Sequence, residues 1–274
     1  MKGLAENVSE SSAVKQRTGP VVLLTGAAQG IGRATALALA AEGYRLGLMD
    51  RNEAPLVELG VELQGSTDVV VLPADVRDGE SVRVAVERLE QELAPVDVVV
   101  ACAGVGTLSN ALNLDTAGFR LMLEVNVLGV ANVIDSVLPS MFKRGAGHIV
   151  GISSVAGYRG MPWMPGYSAS KAALTTYLEA LRPALKRRGV TITTVYPGFV
   201  RTGITVNTPF RRPVKMLEAE QAAAYLVKAI KRRPRDYVFP FGTAMGMGLL
   251  RRMPGRVFDW MMDRAGPSAL TSEF

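Results

Sequence analysis

A chain of 274 residues that is 48% apolar, 20% charged and carries 28 glycines has the composition of one large α/β domain, and excludes a disordered or low-complexity chain. The net charge of +6 gathers late, at Lys186-Arg187-Arg188, Arg211-Arg212, Lys231-Arg232-Arg233 and Arg251-Arg252, without the module or interleaved aromatics of a nucleic-acid binder. A single cysteine, Cys102, excludes an internal disulfide. A single histidine, His148, argues against a histidine metal site or a Ser-His-Asp triad, so no metal is expected and a reducing cytoplasm is the simplest compartment.

Residues 1–19 are polar, lack the apolar core of a signal peptide and read as a flexible lead-in to a domain over 20–241. No run approaches the roughly 20 apolar residues of a membrane span. The all-apolar run 21–24 reads as a strand buried on both faces. It leads into Thr25-Gly26, then Gln29-Gly30-Ile31-Gly32, then an alanine-rich helix over 33–42. Strand, glycine turn and helix N-terminus together make a phosphate cradle, because glycines admit backbone N–H groups to a pyrophosphate and the helix dipole favours its charge. The spacing is G-x-x-x-G-x-G, not the general G-x-G-x-x-G fingerprint, and glycines serving only a tight turn are the plainer alternative.

A second strand over 45–49 ends in Asp50. A carboxylate there accepts hydrogen bonds from both adenosine ribose hydroxyls and repels a 2′-phosphate, whereas the neighbouring Arg51 would attract one. The strand-end position of Asp50 favours NAD, with NADP second. A third strand over 69–72 is followed by Asp75-Val76, where a carboxylate can reach an adenine amino group. Val82, Val86 and Leu89 recur at helical spacing within 80–93. A fourth strand over 96–101 runs into Cys102-Ala103-Gly104, and Cys102 reads as a packed residue, since no adjacent base or cation activates it. A long helix over 119–137 carries Asn126 in its middle, a locally unfavourable choice that makes the residue a candidate for a special role.

A fifth strand over 148–153 delivers Ser154 to the strand's C-terminal edge, where ligands bind in a doubly wound sheet. Tyr167 and Lys171 stand four apart in a helix over 167–185 and so share one face. A phenol of pKa near 10 is a poor acid or base at neutral pH, and a fixed positive charge beside it lowers that value. A sixth strand over 191–196 continues into Pro197-Gly198, Val200 and Thr202, followed by a candidate lid over 203–216, a helix over 218–232 and a strand over 236–241. Alternating strands and helices predict a single doubly wound Rossmann-type α/β domain, with a parallel sheet of about seven strands covered on both faces.

With those motifs in order, the chain resembles the short-chain dehydrogenase/reductase family in its compact subclass, over roughly residues 21–237. The resemblance implies that Tyr167 is the general acid/base, that Ser154 rather than Ser153 hydrogen-bonds the substrate oxygen, and that Lys171 lowers the Tyr167 pKa and holds the nicotinamide ribose. It also implies that Asn126 anchors a water in a proton relay. Thr25, Gly26, Gln29, Gly30, Ile31, Gly32, Asp50, Arg51, Asp75, Val76, Ala103, Gly104, Pro197, Gly198, Val200 and Thr202 would hold the dinucleotide. One departure is that Ala101-Cys102-Ala103-Gly104 replaces the family's Asn-Asn-Ala-Gly, which bears on packing around the adenine side. The implied activity is hydride transfer between a nicotinamide and a secondary alcohol or ketone; a non-catalytic dinucleotide sensor on the same fold is the alternative.

Met161, Trp163 and Met164 precede the helix of Tyr167, and with Phe210 of the lid they suggest a hydrophobic pocket for a steroid-, lipid- or polyketide-like substrate. The tail over 242–274 mixes Met, Leu, Phe and Trp with Arg251, Arg252, Arg256 and Arg264. Such a stretch suits packing over the site or a neighbouring subunit, and also peripheral contact with an anionic membrane. Family relatives pair through the helices after Asn126 and Tyr167, so a homo-oligomer is implied.

Overall fold

The computed structural model describes residues 18–204, 216–240, 242, 246, 249–250 and 252–265. Seven strands form one sheet: β1 (Val21–Thr25), β2 (Arg45–Asp50), β3 (Val69–Pro73), β4 (Val98–Ala101), β5 (Gly147–Ile152), β6 (Val190–Pro197) and β7 (Asp236–Phe239). They pair in parallel in the order β3-β2-β1-β4-β5-β6-β7. Strand order therefore reverses between β1 and β4, and a crevice opens there at the strands' carboxyl ends. Every residue of β1, β4 and β5 is buried, the burial expected of parallel strands covered on both faces.

Eight α-helices are described: α1 (Gly30–Ala41), α2 (Glu53–Leu63), α3 (Gly79–Glu92), α4 (Thr116–Leu123), α5 (Gly129–Arg144), α6 (Pro165–Arg187), α7 (Ala219–Arg232) and α8 (Gly255–Ala265). On one face of the sheet, Val82, Val86 and Leu89 of α3 join Val133 and Val137 of α5 and Leu174 and Leu178 of α6 in one core. On the other, Leu39 of α1, Leu56 and Leu59 of α2 and Leu226 and Ile230 of α7 form a second. The result is a doubly wound Rossmann domain with helices on both faces.

The structure departs from the sequence reading in three places. Helix α2 was not anticipated, and it contains both Pro55 and Gly60. Pro55 falls in the first turn, where a proline's missing N–H is harmless, and a Cβ on Gly60 would lie 2.5 Å from Val71 Cγ2, so the glycine lets the helix approach the sheet. The single helix expected over 119–137 is instead α4, a π-helical turn (Glu124–Leu128) and α5, with the Gly129 N–H reaching back to Glu124 O. The combined run Thr116–Arg144 has the length and mean hydropathy, 1.6, of a membrane crossing, contrary to the expectation that no such run exists. Here the π turn divides it, and Val130, Val133, Ile134, Val137 and Met141 are buried in the core.

Candidate active site

The crevice holds a cleft of about 390 Å³. All the residues expected to hold a dinucleotide line it except Thr25, which braces it from below: its Oγ1 accepts the Cys102 and Ala103 N–H groups, at 3.1 Å each. That hydroxyl bridges β1 to the loop where the family's paired asparagines are replaced. A Cβ on Gly32 would stand 1.9 Å from Gly26 O, and one on Gly26, at φ +70°, would stand 2.7 Å from Ala103 Cα. Any larger side chain would therefore fill the cradle or force the turn apart. Asp50 ties β2 to this turn, accepting the Ala28 N–H at 3.1 Å and the Asn52 N–H at 2.9 Å. A glycine-floored pocket at a helix N-terminus, rimmed by a strand-end carboxylate, fits a dinucleotide.

At the other end of the cleft, β5 ends and the chain delivers two serines in opposite directions. Ser153 Oγ bonds into α6, 3.0 Å from Lys171 O and 2.8 Å from Thr175 Oγ1. Ser154 accepts the Ala156 N–H at 3.1 Å and hydrogen-bonds the Tyr167 phenol. Helix α6 begins with Pro165 at its first position, so Tyr167 sits in the first turn and Lys171 one turn further on. Lys171 is 4% exposed, and its Nζ lies 5.8 Å from the Tyr167 ring centre and donates to Ile152 O at 2.8 Å. Burial lowers the Lys171 pKa to about 8.

Burial also raises the Tyr167 pKa, and the hydrogen bond from Ser154 only partly opposes that. The expectation that Lys171 holds this pKa down is not met, because desolvation of the phenolate is the largest influence on it, ahead of Ser154 and Cys102. Asn126, wholly buried in the π turn, lies outside the cleft lining. Its Oδ1 accepts the Val105 N–H and its Nδ2 donates to Val105 O, both at 2.9 Å, while Nδ2 also lies 3.0 Å from Ser170 Oγ. Asn126 thus fastens the loop after β4 to α6.

Cys102 lines the cleft, and desolvation pushes its thiol up to about 11. A thiol so raised stays protonated at neutral pH, which does not favour a nucleophilic role. At the adenine side, the Asp75 carboxylate accepts Arg77 Nε at 3.1 and 3.0 Å, Arg77 Nη2 at 2.6 Å and the Arg77 backbone N–H at 3.0 Å. These bonds hold the Asp75 pKa below its usual value. The partnership with Arg77, two residues along, was not foreseen.

Of the expected substrate residues, Met161, Trp163 and Met164 are not part of the cleft lining. Trp163 and Met164 are buried in a separate cluster with Ala156, Phe258 and Met262, against which Met161, Leu108 and Tyr167 pack. Met161 lines a second, more open groove beside Phe258. Phe210 and the rest of the expected lid over 205–215 lie outside the described residues. Gly106 was missed by the sequence reading, and Ile204 was covered only as part of the expected lid: a Cβ on Gly106 would stand 2.8 Å from Ile204 Cγ2 and 3.0 Å from Tyr167 Cδ2, so the two residues bound the space beside the tyrosine ring. Arg159 was also missed. Its guanidinium donates to Met253 O at 3.0 Å and lies 4.5 Å from the centre of the Phe258 ring, clamping α8 over the turn after Ser154. Only the contact, not any sequence pattern, reveals it.

A dinucleotide cleft in a doubly wound sheet, ending in a Ser–Tyr–Lys cluster, defines a nicotinamide-dependent oxidoreductase. The chain belongs to the short-chain dehydrogenase family, whose model matches residues 20–211. An uncharacterised oxidoreductase of Myxococcus xanthus is 38% identical over 239 residues, covering 86% of this chain and 94% of that one. A short-chain dehydrogenase/reductase from Burkholderia phymatum in complex with NAD superposes with a TM-score of 0.77 at 26% identity, over 94% of this chain and 99% of that one. An alcohol dehydrogenase from Thermococcus sibiricus, complexed with 5-hydroxy-NADP, gives 0.71 at 29% identity, over 80% of this chain and 95% of that one.

Proposed function

We propose that this enzyme interconverts a hydrophobic secondary alcohol and its ketone, with Tyr167 as general acid/base and NAD preferred over NADP. The observation that carries the reading is the Ser154–Tyr167 hydrogen bond at the cleft end, with the Lys171 ammonium 5.8 Å from the ring. When bound, the nicotinamide supplies or accepts the hydride. In the direction of oxidation, Tyr167 takes the proton of the substrate hydroxyl; in reduction it returns a proton to the carbonyl oxygen. Ser154 donates to that oxygen as charge gathers on it, a contribution of a few kcal/mol (about 3) in comparable oxyanion sites. Lys171, one helical turn beyond Tyr167 in the same cleft, is placed to bond the ribose.

The NAD preference rests on Asp50, which lines the cleft at the end of β2 with Arg51 beside it. On each carboxylate oxygen a lone pair remains for a ribose hydroxyl, beyond the bonds from Ala28 and Asn52. Asp75 and Val76, also in the lining, are read as the adenine contact. A steroid-, lipid- or polyketide-like substrate is favoured by the apolar, methionine-rich cluster packed against Tyr167. The described part of the C-terminal tail turns Phe258 and Met262 toward that cluster, which supports packing over the site as its role in preference to membrane contact. The test is a screen of hydrophobic secondary alcohols with NAD and of the matching ketones with NADH. Tyr167→Phe should lower kcat on the order of 10³-fold while cofactor binding stays within a factor of about two. Full activity in the variant would remove Tyr167 from the chemistry.

A further inference from the structure

Asp75 and Val76 sit on a short turn between β3 and α3, and that turn is held from behind by a residue outside the cleft lining. Asn132, on α5, donates through Nδ2 to Val76 O at 2.9 Å and lies 3.4 Å from Arg77 O. The opposite edge of the same peptide unit is also engaged, since the Arg77 N–H donates to Asp75 Oδ1 at 3.0 Å. The carbonyl of residue 76 and the N–H of residue 77 share one rigid plane. A bond at each edge therefore fixes the rotation of that plane, and through it the direction from which the Asp75 carboxylate is gripped. The contact is close by construction: a Cβ on Gly129, one turn before Asn132, would stand 2.6 Å from Val76 Cγ2.

The other restraints on the turn cannot replace this one. The Asp78 N–H donates to Asp75 O at 2.9 Å and the Asp78 side chain caps α3, which fixes the far end of the turn. The Arg77 side chain grips the Asp75 carboxylate, but it is 40% exposed and is shared with Glu124, 4.0 Å away. A solvent-exposed arginine holds its geometry weakly. Asn132 is half-buried, and its short amide side chain is anchored on α5, whose other face packs in the core, so the Val76 carbonyl it holds has less freedom to move. One helical run thus secures both ends of the cleft, with Asn126 fastening the loop at Val105 and Asn132 the turn at Val76.

We propose that Asn132 is a positioning residue for the adenine end of the dinucleotide, acting through the 76–77 peptide on Asp75. The inference rests on the reading of Asp75 as an adenine contact. Asn132→Leu keeps the side-chain volume and removes the donor; Asn132→Asp keeps the size and sets an acceptor against Val76 O. Either should raise the Kd for NADH and for ADP-ribose by about five- to tenfold, with kcat at saturating cofactor unchanged. The Kd for reduced nicotinamide mononucleotide, which lacks the adenosine, should not move.

A double-mutant cycle with Asp75→Ala identifies the route. In the Asp75→Ala background, Asn132→Leu should add less than about twofold. An unchanged ADP-ribose Kd in both Asn132 variants overturns the proposal, and so does a loss that adds in full to that of Asp75→Ala. Parallel weakening of the mononucleotide would mean general damage to the fold and would equally overturn it. If Asp75→Ala alone leaves ADP-ribose binding intact, it is the adenine reading of Asp75 that fails, a result distinct from failure of the Asn132 link.

Discussion

The two ends of the cleft are built on different physical terms. At the Tyr167 end, Ser154, Lys171 and the nearby Asn126 are buried, each is hydrogen-bonded to the protein, and desolvation dominates the titration of Tyr167 and Lys171. At the adenine end, Arg51 and Arg77 are exposed, and an ion pair rather than burial sets the state of Asp75. A charge in the first environment is worth several times what it is worth in the second, because water screens the second. Chemistry is thus placed where small displacements matter, and cofactor recognition where several weak contacts add.

That contrast predicts a ranking. The largest effect is the loss of about 10³-fold in kcat for Tyr167→Phe, without a matching change in cofactor affinity. At the other end, Asp50→Ala should weaken NADH binding by about tenfold and leave NADPH binding within about twofold, as titrated by nicotinamide fluorescence. Tighter binding of NADPH than NADH by the unmodified enzyme would mean that Arg51 outweighs Asp50. If instead Asp50→Ala costs as much catalysis as Tyr167→Phe, the two ends are coupled and the comparison fails.

The buried end should also control the pH profile of reduction. Lys171, lowered to about 8, loses its proton as pH rises through that value, and with it the charged donor placed for the nicotinamide ribose. The kcat/KM for ketone reduction should therefore fall with a midpoint near pH 8, about tenfold per unit beyond it. A profile flat to pH 10 would show that Lys171 keeps its charge. His148 supplies a smaller effect on stability, far from the chemistry. It is fully buried on β5, bonded through Nε2 to Thr193 Oγ1 at 2.9 Å, and its pKa is lowered to about 3 by desolvation and by Arg233. The unfolded chain, with a histidine pKa near 6.5, binds the extra proton between those values. Stability should then drop by about 1.4 kcal/mol per unit as pH falls below about 6. Denaturant titrations of His148→Gln should show that slope removed.

Much of this arrangement was legible in the residues. The strand–glycine–helix order around Gly26, Gly30 and Gly32, the strand-end positions of Asp50 and Ser154, and the four-residue step from Tyr167 to Lys171 follow from local periodicity and from the backbone demands of a tight turn. Those features are set by neighbours in the chain, so the chain alone displays them. What the tertiary structure decided depends on contacts between distant segments. Desolvation, and not Lys171, governs the Tyr167 pKa because burial is a property of the packed site. Asn126 and Asn132 find their partners at Val105 and Val76 because a π turn and the sheet bring those backbones together. Trp163 and Met164 join the α8 cluster and stay out of the cleft lining because Phe258 and Met262 pack over them from nearly a hundred residues further along the chain, a distance no local pattern spans.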